Sequence, residues 1–165
     1  MLSSDRRTFL KLASMLPLAA CGFTPAYGPA GPAAGLLGRV ILDAPNDKDE
    51  FDLVERLEER LGRTKTPAFR LAYRVETTVT GQAITSVSTI NRYRIDGDIA
   101  FTLHDAASGA ALTSGKVSNF TAYSAFGTSV ATAASEADAR TRLMRILGDE
   151  VVTRLIATSA EWNDT

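Results

Sequence analysis

Two stretches of regular alternation constrain this chain most. From Phe69 onward, Phe69, Leu71, Tyr73, Val75 and Val79 alternate with Arg70, Ala72, Arg74, Glu76 and Thr78. From about Ile90 to Asp105, Tyr93, Ile95, Ile99, Phe101 and Leu103 fall on one side, and Arg92, Arg94, Asp96 and Asp98 on the other. Successive side chains of a strand point to opposite faces. Both runs therefore describe long strands with one face in a core and the other in water. The small, polar stretch Thr80–Thr89 between them reads as the hairpin region.

A one-sided sheet needs a cover, and two segments of helical spacing provide it. A short strand, Val40–Leu42, precedes the first. Asn46 or Asp47 can cap that helix, acidic Asp47, Asp49 and Glu50 suit its positive N-terminus, and Gly62 ends it. Phe51, Val54, Leu57 and Leu61 make its apolar stripe, with Leu53 beside it. The second helix is read over Ser135–Ala160. Ser135 and Asp138 resemble a capping box there, and Leu143, Met144, Leu147, Val151 and Leu155 face the core. Gly148 in mid-helix costs about 1 kcal/mol against Ala and points to close packing. A turn around Gly109 leads into a fourth strand over roughly Leu112–Phe126, whose weaker alternation does not assign its faces. Phe120, Tyr123 and Phe126 are read as core, with a protein contact as the other reading. The order is β-α-β-β-β-α. Arg39–Val79 fits a right-handed βαβ crossover, and the fold class is α+β, with both helices on one face of a mixed four-stranded sheet.

Residues 1–20 read as a signal peptide rather than fold. Arg6, Arg7 and Lys11 make a positive start and Leu12–Ala20 a short apolar core. Arg6, Arg7, Phe9, Leu10 and Lys11 match the twin-arginine export pattern, with Asp5 where Ser or Thr is usual. Leu18-Ala19-Ala20-Cys21 resembles a bacterial lipobox. It places the single cysteine of the chain where diacylglycerol is attached to a thiol and the signal is cleaved. Several acyl chains, at roughly 0.8 kcal/mol per buried CH₂, make a lasting anchor where one does not. Gly22 after the cysteine, rather than Asp, fits the outer membrane. Residues 21–38, rich in Pro and Gly, read as the acylated cysteine and a flexible tether. The domain is then 39–160 and the polar tail 161–165.

Composition excludes several functions. Net charge is −1 over 165 residues, so no basic field attracts nucleic acid. One Cys and one His cannot build a thiolate zinc site. His104-Asp105 could belong to a triad, but no nucleophile elbow surrounds any serine. Gly109–Val117 departs from a P-loop in spacing and in its last residue, Val117. The chain is read as a non-enzyme without cofactor or metal, and as a domain that acts by binding.

The lipobox, CGFTPAYG after the signal, RVILDA before an acidic-started helix, INRYRIDGDIAFT and the terminal helix together resemble the LPS-assembly lipoprotein family of the LptE type. The resemblance implies a lipid-anchored protein at the periplasmic face of the outer membrane. It would plug and help assemble an LptD-type β-barrel, and take part in delivering lipopolysaccharide to the surface. Basic residues implicated in that family near the second hairpin tip and the second helix start have no counterpart in Thr80–Thr89 or Ser129–Ala139. Arg92 and Arg94, with Arg70 and Arg74, are the nearest candidates for lipopolysaccharide contact, since guanidinium forks match phosphate oxygens. The competing expectation is cross-strand pairing. A hairpin centred near Ile84 sets Glu76 against Arg92 and Asp98 against Arg70. The alternative function is a transport-auxiliary or lipid-binding lipoprotein, with a closed pocket along Phe69, Tyr73 and Ile99.

Overall fold

The computed structural model describes residues 28, 31, 33–84 and 90–163. The proposed signal residues Arg6, Arg7, Phe9, Leu10 and Lys11, the acylation site Cys21 and the hairpin tip at 85–89 lie outside them. The elements are β1 (Val40–Leu42), α1 (Lys48–Leu61), β2 (Phe69–Ile84), β3 (Ile90–Asp105), β4 (Ala111–Ser124) and α2 (Ser129–Trp162). They form one sheet in the order β1-β2-β3-β4, with β1 parallel to β2 and the other pairs antiparallel. This is the expected α+β order.

The alternation places the core where it was expected. Phe69 and Leu71 of β2, and Ile95, Ile99, Phe101 and Leu103 of β3, are buried beneath the helices. From α2 the predicted Leu143, Met144, Leu147, Val151 and Leu155 close the layer, joined by Ala139 and Val152. Gly97 and Gly148 set how closely the layers approach. A Cβ at Gly97 would lie 2.9 Å from side-chain carbons of both Leu143 and Leu147. One at Gly148 would lie 3.1 Å from Arg56 Cγ, so α1 and α2 approach closely there and a methyl would require the Arg56 side chain to shift by a few tenths of an ångström.

Helix α1 starts as its sequence indicates. The Asp47 carboxylate accepts from the Glu50 amide at 2.8 Å, and Glu50 Oε2 accepts from the Asn46 amide at 2.7 Å. Gly62 ends it with φ 79°, backing onto Gly38. The buried stripe, however, is Leu53, Leu57 and Leu61, and Phe51 is 58% exposed. Asp52 joins that buried face because Lys48 Nζ donates to both its oxygens at 2.9 Å and Thr141 Oγ1 at 2.7 Å.

Helix α2 begins six residues before the expected start. Thr128 is its N-cap, accepting from the Ala131 amide at 3.3 Å, while the Ser135 hydroxyl turns back to the Ala131 carbonyl. The Ala-rich 129–134 segment has the propensity to extend the helix without an apolar stripe to reveal it. Strand β2 runs on to Ile84, because pairing with β3 continues through the polar residues beyond Val79.

Both ends of the domain are also larger than expected. Ala33 and Leu36, within the stretch read as tether, are buried, and Gly38 donates to the Leu61 carbonyl at 2.6 Å. Trp162, within the stretch read as tail, packs edge-on against Phe69 at 5.5 Å. Asn163 Nδ2 donates to the Ala34 carbonyl at 2.8 Å.

Candidate functional site

Both helices lie on one face of the sheet, so the described elements leave its other face uncovered. The register defines this face row by row. Arg70 lies opposite His104, Ala72 opposite Thr102, Arg74 opposite Ala100, Glu76 opposite Asp98 and Thr80 opposite Arg94. Across β3 the rows continue, with Thr102 against Ser114, Ala100 against Lys116, Asp98 against Ser118, Asp96 against Phe120 and Arg94 against Ala122. Arg70, Arg74, Arg92 and Arg94 therefore share one face, as expected.

Their partners are not those expected. The β2–β3 register sets Glu76 against Asp98 rather than Arg92, and Arg70 against His104 rather than Asp98. Arg70 instead grips Asp43 after β1, with Nε and Nη2 at 2.7 and 3.1 Å, and this hydrogen-bonded carboxylate raises its pKa. Arg94 binds Asp96 along its own strand at 2.6 Å and stacks over the Phe120 ring at 3.7 Å. Asp98 accepts from Ser118 and from Lys116, which hold its carboxyl below the usual range. Arg74 and Arg92 are exposed and make no ion pair or side-chain hydrogen bond among the described residues.

Among the described residues, two depressions lie on this face. One, of about 450 Å³, is lined by Ala72, Arg74, Ala100, Thr102 and Ser114, with Tyr73, Phe101 and Gly115 also contributing. The other, of about 350 Å³, lies between Ile41, Pro67, Arg70 and His104 and the β3–β4 turn. The single histidine is engaged in that turn, with Nδ1 3.2 Å from the Gly109 carbonyl. Ser108 Oγ donates to Asp105 at 2.7 Å, not to His104, and these hydrogen bonds depress the Asp105 pKa. The turn is thus a capped reversal of chain rather than a triad.

The opposite face is filled. Phe69 and Ile99 belong to the continuous core, with Tyr73 packed against it, and the Tyr73 hydroxyl donates to the Asp43 carbonyl at 3.0 Å. Of the three aromatics read as core, only Tyr123 is buried, stacked on Tyr93 at 5.3 Å. Phe120 and Phe126 are exposed. Phe120 is on the uncovered face by parity, and Phe126 lies past the end of β4 where no element covers it. No group of three or more His, Cys, Asp or Glu side chains that could hold a metal occurs among the described residues, and no described helix is long and apolar enough to cross a membrane.

Fold and face together define a two-layer α+β domain with a one-sided sheet and an open polar surface. The model of the family described as LptE, lipopolysaccharide-assembly, matches residues 37–155, and the chain belongs to that family. Among curated proteins none matches in sequence. Solved structures show the same fold. A putative lipoprotein from Caulobacter crescentus superposes with a TM-score of 0.67 at 20% identity, covering 81% of this chain and 98% of its own. The rare lipoprotein B from Shewanella oneidensis gives 0.56 at 11% identity, covering 73% and 93%. Lipoprotein B from Nitrosomonas europaea gives 0.56 at 14%, covering 75% and 85%.

Proposed function

We propose that the mature chain is an outer-membrane lipoprotein, held at the periplasmic face by acyl chains on Cys21. Its domain occupies the lumen of an LptD-type barrel, assists the assembly of that barrel and takes part in delivering lipopolysaccharide outward. Membership of the lipopolysaccharide-assembly family carries this reading. The physical form of the domain is compatible with it. A barrel lumen is wet and polar, and the uncovered face offers it hydroxyls together with both paired and unpaired charges. The β2–β3 hairpin pairs two strands of sixteen residues each and presents a long continuous polar face. The domain acts by binding and not by catalysis. A lipid-binding protein with its own enclosed pocket is the competing reading, and the filled layer around Phe69 and Ile99 counts against it.

Photo-crosslinkers at Thr85 and Ser88 should capture a barrel-sized protein in cells, while one at the buried Leu57 should not. Depletion should leave that barrel misassembled and reduce surface lipopolysaccharide. Normal barrel maturation and normal lipopolysaccharide after depletion would reject the proposal in favour of the pocket.

A further inference from the structure

We infer that the uncovered sheet face carries an oxyanion site, made by Arg74 with the hydroxyls of Thr102 and Ser114, that holds a phosphate group of lipopolysaccharide. The inference rests on the lipopolysaccharide role proposed above and places the contact on particular residues.

Four arginines share the face, and their engagements separate them. Arg70 already spends two donors on Asp43, and Arg94 is held by Asp96 and by the Phe120 ring. Arg92 is free, but lies at the far end of the hairpin beside no described depression. Arg74 is free and also lines a depression of about 450 Å³. An exposed guanidinium without a carboxylate keeps its fork available to donate in parallel to two oxygens of a phosphate.

The neighbours of Arg74 fit that anion. Ala72 and Ala100 give the depression a floor without side chains that would fill it. Thr102 and Ser114 face each other across β3 and β4 and bring two hydroxyls to its proximal wall. Lys116 stands beyond Ala100 in the row of Arg74, but its ammonium is already paired with Asp98 at 3.1 Å, so Arg74 is the uncommitted cation of that row. The next row, Glu76 and Asp98, is acidic. It repels an anion from the distal side and leaves the Thr102–Ser114 side as the place for it. The same row predicts that removing the Glu76 charge tightens the site.

The test uses the processed, acylated protein in detergent micelles, titrated with lipopolysaccharide, with the same lipopolysaccharide after enzymatic dephosphorylation, and with inorganic phosphate alone. Arg74→Ala should weaken binding of the phosphorylated form roughly tenfold or more, as expected for losing charge-assisted hydrogen bonds. Arg74→Lys should lose less and Glu76→Gln should gain. Arg70→Ala should change affinity less than about twofold, because that guanidinium is committed to Asp43. Dephosphorylation should reproduce the Arg74→Ala loss in the native protein. Unchanged thermal melting of the variants would show that the fold is intact. Equal affinity of native protein and Arg74→Ala overturns the site while leaving the lipopolysaccharide role standing. Failure of the native protein to bind lipopolysaccharide at all overturns the role itself. Tight, Arg74-dependent binding of inorganic phosphate alone overturns the lipid assignment.

Discussion

Gly97 and Leu143 touch with nothing between them: a Cβ at position 97 would stand 2.9 Å from Leu143 Cδ2. The middle of β3 is thereby pressed against α2, and a hydrogen at position 97 is what lets the core close. Gly97→Ala forces Leu143 and Leu147 out of place and should cost about 1–3 kcal/mol. Chemical denaturation should show a lower midpoint with an unchanged slope. A midpoint equal to that of the native protein would mean that the helix shifts at no cost.

Arg140 ties three elements together. Its guanidinium reaches Asp49 of α1 at 2.9 Å, Glu136 of α2 at 3.0 Å and Thr77 of β2 at 3.3 Å. Burial opposes its charge, but the two carboxylates outweigh that and raise its pKa. Arg140→Ala should destabilise the fold by roughly 1–2 kcal/mol, a figure discounted for partial exposure to solvent. The corresponding Arg142→Ala, whose i,i+4 pair with Asp138 is exposed, should have little effect on the same melting curve.

Tyr73 supplies a pH signature. Burial first, then the carboxylates of Glu50, Asp43 and Asp47, pushes its phenol from 10.0 up to about 12. Because the folded value is the higher one, its contribution to stability is complete below pH 10 and is lost as pH rises through 12. An absorbance titration should show the Tyr73 phenol ionising late in the folded protein and at its ordinary value in denaturant. Tyr73→Phe should remove one late-ionising phenol and leave that of Tyr123, which burial and the Glu136 carboxylate also raise.

Processing at the N-terminus is separable into route and anchor. Cys21→Ala should abolish incorporation of labelled fatty acid and leave the chain uncleaved or soluble. Undiminished label in that variant would end the lipoprotein reading. Arg6→Lys with Arg7→Lys should block export by a receptor that reads guanidinium geometry as well as charge. Normal maturation of the double variant would assign the general secretory route instead.

The sequence made the faces of β2 and β3 legible but not their register, for a simple reason. The observed register differs by six residues in each pairing from the one expected for a hairpin centred near Ile84. That is an even number, so every side chain stays on its face. The alternation is blind to such a shift, and the small polar tip carries no turn motif to fix it. The ion pairs of the face followed the register, so Asp43 of the β1–α1 connection, remote in sequence, was missed as the partner of Arg70. Phe51 went wrong in another way. Its spacing from Val54 fits a helical stripe, but the stripe that faces α2 is rotated to Leu53, Leu57 and Leu61, and only the neighbouring helix decides between them. The four candidate arginines were legible as cations on one face. Which of them remains free depends on contacts across the whole sheet.

The way in which Ala33–Gly38 enters the domain has a mechanical consequence. Tension arriving along the N-terminal chain does not reach the sheet first. It meets Leu36, wedged in the core, and is divided between the ends of two helices: Asn163 beyond α2 grips the Ala34 carbonyl, and Leu61 at the close of α1 holds Gly38. Beyond this double grip lies β1, three residues long and paired on only one side, the element that would peel most easily if pulled directly. These contacts would act as strain relief for a domain tugged from its N-terminus, sparing the uncovered face of the sheet.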